Sequence, residues 1–227
     1  MAKISKQILG KVQGSLGDIT FRQRNGKSYL STRPLSFMPG KDPASIARRE
    51  KFTLNMKLCK TIYSLDELKS IWAIETPQDK AAFNYLCQVN YQKIGAGNVP
   101  GSIKLAPGLS FNVNNPVINF EPAQISVNFD ALGTGTGIDA GVETSVKLLS
   151  VVYLSSPLDN NAAKYNLIKF SSDVQSTVLD QPYTFSFPLS DVETQLFSGY
   201  QSHKGFFILV TLDTDGNIGN YSNTFSA

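Results

Sequence analysis

Apolar and polar positions alternate on both sides of Asn25-Gly26 in residues 17–33, GDITFRQRNGKSYLSTR. Both central residues of a two-residue type I′ turn need φ > 0, and Asn-Gly supplies them readily. With that pair as the turn, Arg22 faces Tyr29, Phe21 faces Leu30 and Asp18 faces Arg33. Apolar meets apolar and acid meets base, as cross-strand pairs favour. Arg33-Pro34 then ends the strand. Residues 1–16 read as an arm ordered only when docked. Ile4, Ile8 and Val12 recur every fourth residue, but Gly10 and Gly14 oppose a helix there, at about 1 kcal/mol each.

The period changes after the Pro/Gly loop at 34–42. Asp42-Pro43 supplies an N-cap and a proline at the first helical position. A helix over about 43–63 would carry Phe52, Met56, Cys59 and Tyr63 on one face. Ser64-Leu65-Asp66-Glu67 has the form of a capping box, so a second short helix begins there, with Leu68, Ile71 and Trp72. Thr76-Pro77 starts a third, running to about Ile94, with Phe83, Leu86, Cys87, Asn90 and Ile94 on its face.

Residues 95–101, GAGNVPG, are linker-like, and β-type runs follow. They are Val117–Phe120, Gln124–Phe129, Val142–Leu154, Leu167–Phe170, Tyr183–Phe187, Gly205–Leu212 and Tyr221–Phe225. Period-two alternation in Gln124–Phe129 and Tyr183–Phe187 marks strands with one buried face. Phe206–Val210 reads as a central strand. The expected fold is α+β: an N-terminal β-hairpin and small helical bundle, then an immunoglobulin-like β-sandwich. The expected domains are 1–33, 34–95 and 96–227.

Charge adds an asymmetry. Residues 1–60 hold 13 Lys/Arg against 3 Asp/Glu, a net +10; the remainder holds 8 against 15, a net −7. A basic head on an acidic body points to an acidic partner for the head. The partner-binding candidates are Lys3, Lys6, Lys11, Arg22, Arg24, Lys27 and Arg33, within a wider basic set that continues through Lys41, Arg48, Arg49 and Lys51. Nucleic acid, an acidic protein surface or the acidic body of a neighbouring copy would each fit. No nucleic-acid recognition motif accompanies these residues.

Candidate chemistry is sparse. The one histidine, His203, lies in the turn-like stretch Gly199–Gly205, without a nucleophile motif, and reads as a solvent-facing loop residue. Cys59 and Cys87 read as buried free thiols of a protein made in a reducing cytoplasm. Gly133–Gly137 matches no phosphate-binding loop and reads as an inter-strand loop. Asp213–Asn217 begins like a calcium loop, but Thr224 stands where the loop's glutamate belongs, so it reads as a hairpin turn. Glu75 and Asp79 flank the Thr76-Pro77 start and read as helix-dipole partners. No catalytic group, metal site or cofactor is expected. No stretch reaches the roughly 18 apolar residues of a membrane helix, and Met1–Gly17 lacks the apolar run of a Sec signal.

Several segments resemble a known family: Ile8-Leu-Gly10, Gly14–Phe21, Gly26–Tyr29, Arg33-Pro34, Arg49–Phe52, Phe206–Gly216 and Tyr221–Asn223. The family comprises uncharacterised proteins of Bacteroidota and their tailed phages. Its members have a basic Gly-rich hairpin start, a short helical segment and an immunoglobulin-like C-terminal domain. The resemblance implies a non-catalytic virion structural protein (capsid, connector or tail component), made and assembled in the host cytoplasm. Its partners would be other virion proteins and copies of itself, with no membrane. The alternative expectation is a surface adhesion or carbohydrate-binding module using Tyr153, Tyr165, Tyr183 and Tyr200. A third is sequence-independent DNA binding by the basic head.

Overall fold

The computed structural model describes residues 2–4, 14–24, 27–32, 36, 38–95 and 98–227. The chain divides into two compact units, residues 1–46 and 47–227, the boundary falling near the start of helix α1 (Pro43–Tyr63).

The first unit contains an antiparallel sheet ordered β1-β4-β3-β2, from β1 (Ala2–Ile4), β2 (Gly14–Leu16), β3 (Ile19–Arg24) and β4 (Lys27–Thr32). The β3–β4 register pairs Arg22 with Tyr29 and Phe21 with Leu30, as the Asn-Gly turn requires. Asn25, Gly26 and Arg33 lie outside the described residues, as does the expected Asp18–Arg33 pair. The arm expected at 1–16 needs correction at both ends: Ala2–Ile4 pairs with β4 and Gly14–Leu16 with β3. The second pairing closes through Gly17-Asp18, with Gly17 at φ +55°. A left-handed first position is what a two-residue hairpin turn demands, and glycine adopts it without steric cost.

The second unit holds three core helices, α1 with α2 (Asp66–Glu75) and α3 (Ala82–Tyr91). Two antiparallel sheets follow. The smaller is ordered β10-β6-β5, from β5 (Val117–Phe120), β6 (Gln124–Phe129) and β10 (Tyr183–Pro188). The larger is ordered β12-β11-β7-β8, from β7 (Ser145–Pro157), β8 (Tyr165–Ser171), β11 (Tyr200–Leu212) and β12 (Ile218–Tyr221). Short strands β9 (Gln175–Ser176) and β13 (Phe225–Ser226) add to β7 and β11. The fold is thus α+β with antiparallel sheets.

Two cores share the larger sheet. Leu149, Val151 and Tyr153 of β7, with Phe206, Ile208 and Val210 of β11, pack against Leu54, Leu58, Ile62, Leu68, Trp72 and Leu86 of the helices. The alternate residues Val146, Leu148, Val152, Leu154, Phe207 and Leu209 pack against Ile125, Val127, Phe129, Phe185 and Phe187 of the smaller sheet. Strands β7 and β11 are therefore buried on both faces, which is why their sequences run almost continuously apolar. The segment after residue 98 belongs to both cores: Val99, Ile103 and Leu105 to the first, Phe111 and Val113 to the second. Asn90 fixes its start. Its Oδ1 accepts from Lys104 N at 2.8 Å and its Nδ2 donates to Lys104 O at 3.0 Å. Trp72 Nε1 donates to Leu105 O at 2.7 Å.

Four helical details differ from expectation. The buried face of α1 is Leu54, Asn55, Leu58, Cys59 and Ile62, while Phe52 is 56% exposed. The core selected the leucine stripe because it lies over the sheet; Phe52 is left on the flank. Ser64 makes no capping box, because its hydroxyl donates back to Thr61 O at 2.7 Å; α2 starts at Asp66 instead. Helix α3 starts at Ala82, and the stretch after Pro77 closes only a turn, Lys80 N to Pro77 O. A fourth helix, α4 (Asp191–Ser198), was not expected, although Ser190 and Glu193 spell the true capping box.

Candidate functional site: a basic sheet face

The first unit gathers part of the expected basic set by strand register alone. Lys3 pairs with Tyr29, and Tyr29 with Arg22, so Lys3, Tyr29 and Arg22 form one row across β1, β4 and β3. Arg24 and Lys27 pair two residues further along, and positions two apart share a face. Lys3, Arg22, Arg24 and Lys27 therefore occupy one face of the sheet. Arg22 and Lys27 are exposed. On the opposite face Phe21 and Leu30 pair and are half-buried. Lys6, Lys11 and Arg33 lie outside the described residues.

His203 is not a loop residue. It lies in β11, half-buried, with Nε2 3.0 Å from Phe197 O and its ring against Phe120 and Phe197. Strand β11 begins at Tyr200 because its partner β7 extends to Pro157, where the two strands pair. No nucleophile is among His203's described partners. Glu75 and Asp79 do not act as a dipole pair. Glu75 ends α2, where a negative charge is unfavourable, and it accepts the Tyr221 hydroxyl. Burial and that carboxylate push Tyr221 up to about 12.

Asp213–Asn217 is a closed turn. Asp213 Oδ1 accepts from Asp215 N and Asn217 N, each at 2.8 Å, and Oδ2 accepts from Asn217 Nδ2 at 2.9 Å. Those bonds hold the Asp213 carboxyl below the usual range. Gly133 and Gly137, at φ +75° and +74°, flank a single 3-10 turn. Among the described residues, no three His, Cys, Asp or Glu side chains cluster as metal ligands would. Both cysteines are free, with Cys59 buried and Cys87 half-buried. Burial is the main cause that pushes both thiols up, so neither is an activated thiolate.

Glu143 carries a feature that sequence reasoning missed. Its carboxylate is buried and accepts from the Thr211 hydroxyl, from Asn220 Nδ2 at 2.7 Å and from Asp139 N at 3.4 Å. Gly219 leaves the room: a Cβ there would stand 2.7 Å from Glu143 Cδ. Every donor is neutral and belongs to the surrounding strands and loop, so the group ties 139–143 to β11 and β12. The only sequence signal was a carboxylate beside the apolar run that opens β7.

The tyrosines do not form a platform. Tyr153, Tyr183 and Tyr200 are 3–6% exposed, and only Tyr165 is half-open. Among the described residues, no helix is long and apolar enough to cross a membrane.

No protein-family model matches the chain, and no curated protein matches its sequence. Among solved structures it is similar to β-glucosidase 3B from Thermotoga neapolitana, at 16% identity over 63% of this chain and 19% of that one, with a TM-score of 0.20. It is also similar to a β-glucosidase from Kluyveromyces marxianus, at 13% identity over 63% of this chain and 16% of that one, with a TM-score of 0.22. The chain thus spans under a fifth of the length of these enzymes, and at these scores the likeness carries no argument about fold or activity.

Proposed function

We propose that this protein is a non-catalytic structural component of a tailed-phage virion (capsid, connector or tail), anchored to a neighbouring protein by its basic N-terminal segment. The observation that carries the reading is the register that sets Lys3, Arg22, Arg24 and Lys27 on one sheet face. A row of cationic residues on one sheet face would be relieved of mutual repulsion by an acidic surface. The acidic remainder of the chain and the resemblance to proteins of Bacteroidota and their tailed phages support the same reading. The two sheets facing each other across a shared core support an immunoglobulin-like sandwich as the finer description of 96–227. Assembly would occur in the host cytoplasm, with copies of this chain and other virion proteins as partners. The same face would also attract nucleic acid, and salt separates the two: phosphate binding falls steeply with salt.

The test is size-exclusion chromatography with light scattering on the full chain and on a chain lacking residues 1–33. The expected result is a multi-copy particle, alone or with virion extract, that the truncation abolishes. Identical behaviour of both chains would remove the anchor from the reading. DNA binding with a steep salt dependence, and no protein partner, would replace it.

A further inference from the structure

The larger sheet of the second unit ends in β8 at one side and β12 at the other; at the far end of β12 Tyr221 O accepts from Ser110 N at 2.8 Å, so the outer side of β12 is partly occupied. Each edge meets the helical layer in an open groove, and the two grooves differ in charge. At the β8 edge a groove of about 310 Å³ is lined by Lys57, Lys60 and Thr61 of α1 and by Tyr165, Asn166 and Leu167. The Lys57 ammonium sits 4.9 Å over the Tyr165 ring. Nearby, Lys164 is paired with Glu50 at 2.7 Å, and Lys169 donates to Ser64 O at 2.9 Å. At the β12 edge a groove of about 370 Å³ is lined by Asp66, Glu67, Ser70 and Ile74 of α2 and by Asn217 and Ile218. Asp215 stands exposed in the adjoining turn, and Ile74 is 79% exposed. Glu67 is already paired with Lys147. Among the described residues, no carboxylate pairs with Lys57 or Lys60, and no cation pairs with Asp66 or Asp215.

We infer that the β8 edge of one copy docks against the β12 edge of the next, with the Lys57 and Lys60 ammonium groups meeting Asp66 and Asp215. The β8 edge, which pairs on its β7 side alone among the named strands, is a template for association, and opposite charge selects the groove it meets. The occupant is a second copy because both complementary surfaces belong to this one chain, at opposite ends of one sheet, in grooves of similar size. The exposed Ile74 supplies apolar area that isolated surface ion pairs, each worth little alone, would lack. The contact joins two different surfaces, so it leaves a free edge at each end and propagates into a ring or a row. This inference deepens the assembly reading above, and it uses a surface distinct from the basic N-terminal face.

The test uses the full chain in two charge-reversed forms, Lys57→Glu with Lys60→Glu, and Asp66→Lys with Asp215→Lys. All four residues are exposed, and unchanged near-UV circular dichroism checks the fold. Light scattering should give oligomers for the native chain and monomers for each variant alone. An equimolar mixture should recover the native mass, because every junction again joins opposite charges. A native chain that stays monomeric, or variants that assemble as the native chain does, would overturn the proposal. So would a mixture that stays monomeric. Loss of assembly on reversal but not on removing residues 1–33 would keep the edges and discard the anchor; the reverse would discard the edges alone.

Discussion

Gly205 shows what one residue decides. It is buried in β11 opposite Val152, and its N–H and C=O both bond Ala227, at 3.0 and 3.2 Å. A Cβ there would run into the Phe207 ring and come within 2.9 Å of Phe120 Cζ. Neither ring is free to move. Phe207 stacks on Phe225 at 5.8 Å, and Phe120 lies against Phe197 and His203. Gly205→Ala should therefore destabilise the protein by roughly 3 kcal/mol, at the upper end of overpacking costs. Urea denaturation read by tryptophan fluorescence checks it; a midpoint within error of the native one would show that the aromatic cluster can yield. Sequence alone marked this glycine only as the start of an apolar run, because its neighbours Phe120 and Ala227 are distant along the chain.

At the scale of elements, the helical layer is held to the sheet by a polar link as well as by apolar contact. Lys147 of β7 donates to Glu67 of α2 at 2.5 Å, with each side chain about one-fifth exposed. Burial pushes the Glu67 carboxyl up, but the hydrogen bond and charge of Lys147, together with a bond from its own backbone N–H and the Lys169 charge, hold it below the ordinary glutamate value. A carboxyl that titrates lower in the folded than in the unfolded chain contributes stability above the unfolded pKa, roughly 4.3. That contribution is lost as pH falls through the folded value. Lys147→Met should therefore cost on the order of 1 kcal/mol at neutral pH, and the difference should vanish toward acid. Denaturant midpoints measured from pH 7 to pH 3 check this. A difference that persists unchanged into acid would assign the loss to packing of the lysine stem instead. Helix existence was legible here from the 3.6-residue period. The starts were less so, since Ser64 and Pro77 both satisfy local rules that Thr61 and the sheet below override.

At the scale of the molecule, the decisive fact is that one sheet serves two cores. Residues 98–227 alone would expose Leu149, Val151, Tyr153, Phe206, Ile208 and Val210, six large side chains now 0–3% exposed beneath the helices. An apolar face of that extent is not tolerated on a soluble monomer. A chain of residues 47–227 should fold with native near-UV circular dichroism, whereas a chain of residues 98–227 should aggregate or stay unfolded. Native-like behaviour of the shorter chain would mean that the sandwich is stable without its helical cover. The composition break at residues 95–101 reads like a boundary, yet Asn90, Trp72, Val99 and Leu105 tie its two sides together.

The sequence by itself determined what depends on neighbours in the chain or on period. The β3–β4 register followed from one Asn-Gly pair, and Gln124–Phe129 and Tyr183–Phe187 were read as one-faced strands from alternation alone. The Gly17-Asp18 turn and the Ser190–Glu193 capping box were written there too, in short-range signals. Only the tertiary structure decided which stripe of α1 is buried, that β7 and β11 are covered on both faces, and that His203 lies in a strand. It also gathered Lys57 and Lys60 at one sheet edge and Asp66 and Asp215 at the other. The physical reason is common to all of these: each depends on what packs opposite a surface, and a linear pattern records that a face is apolar or charged without recording what it meets.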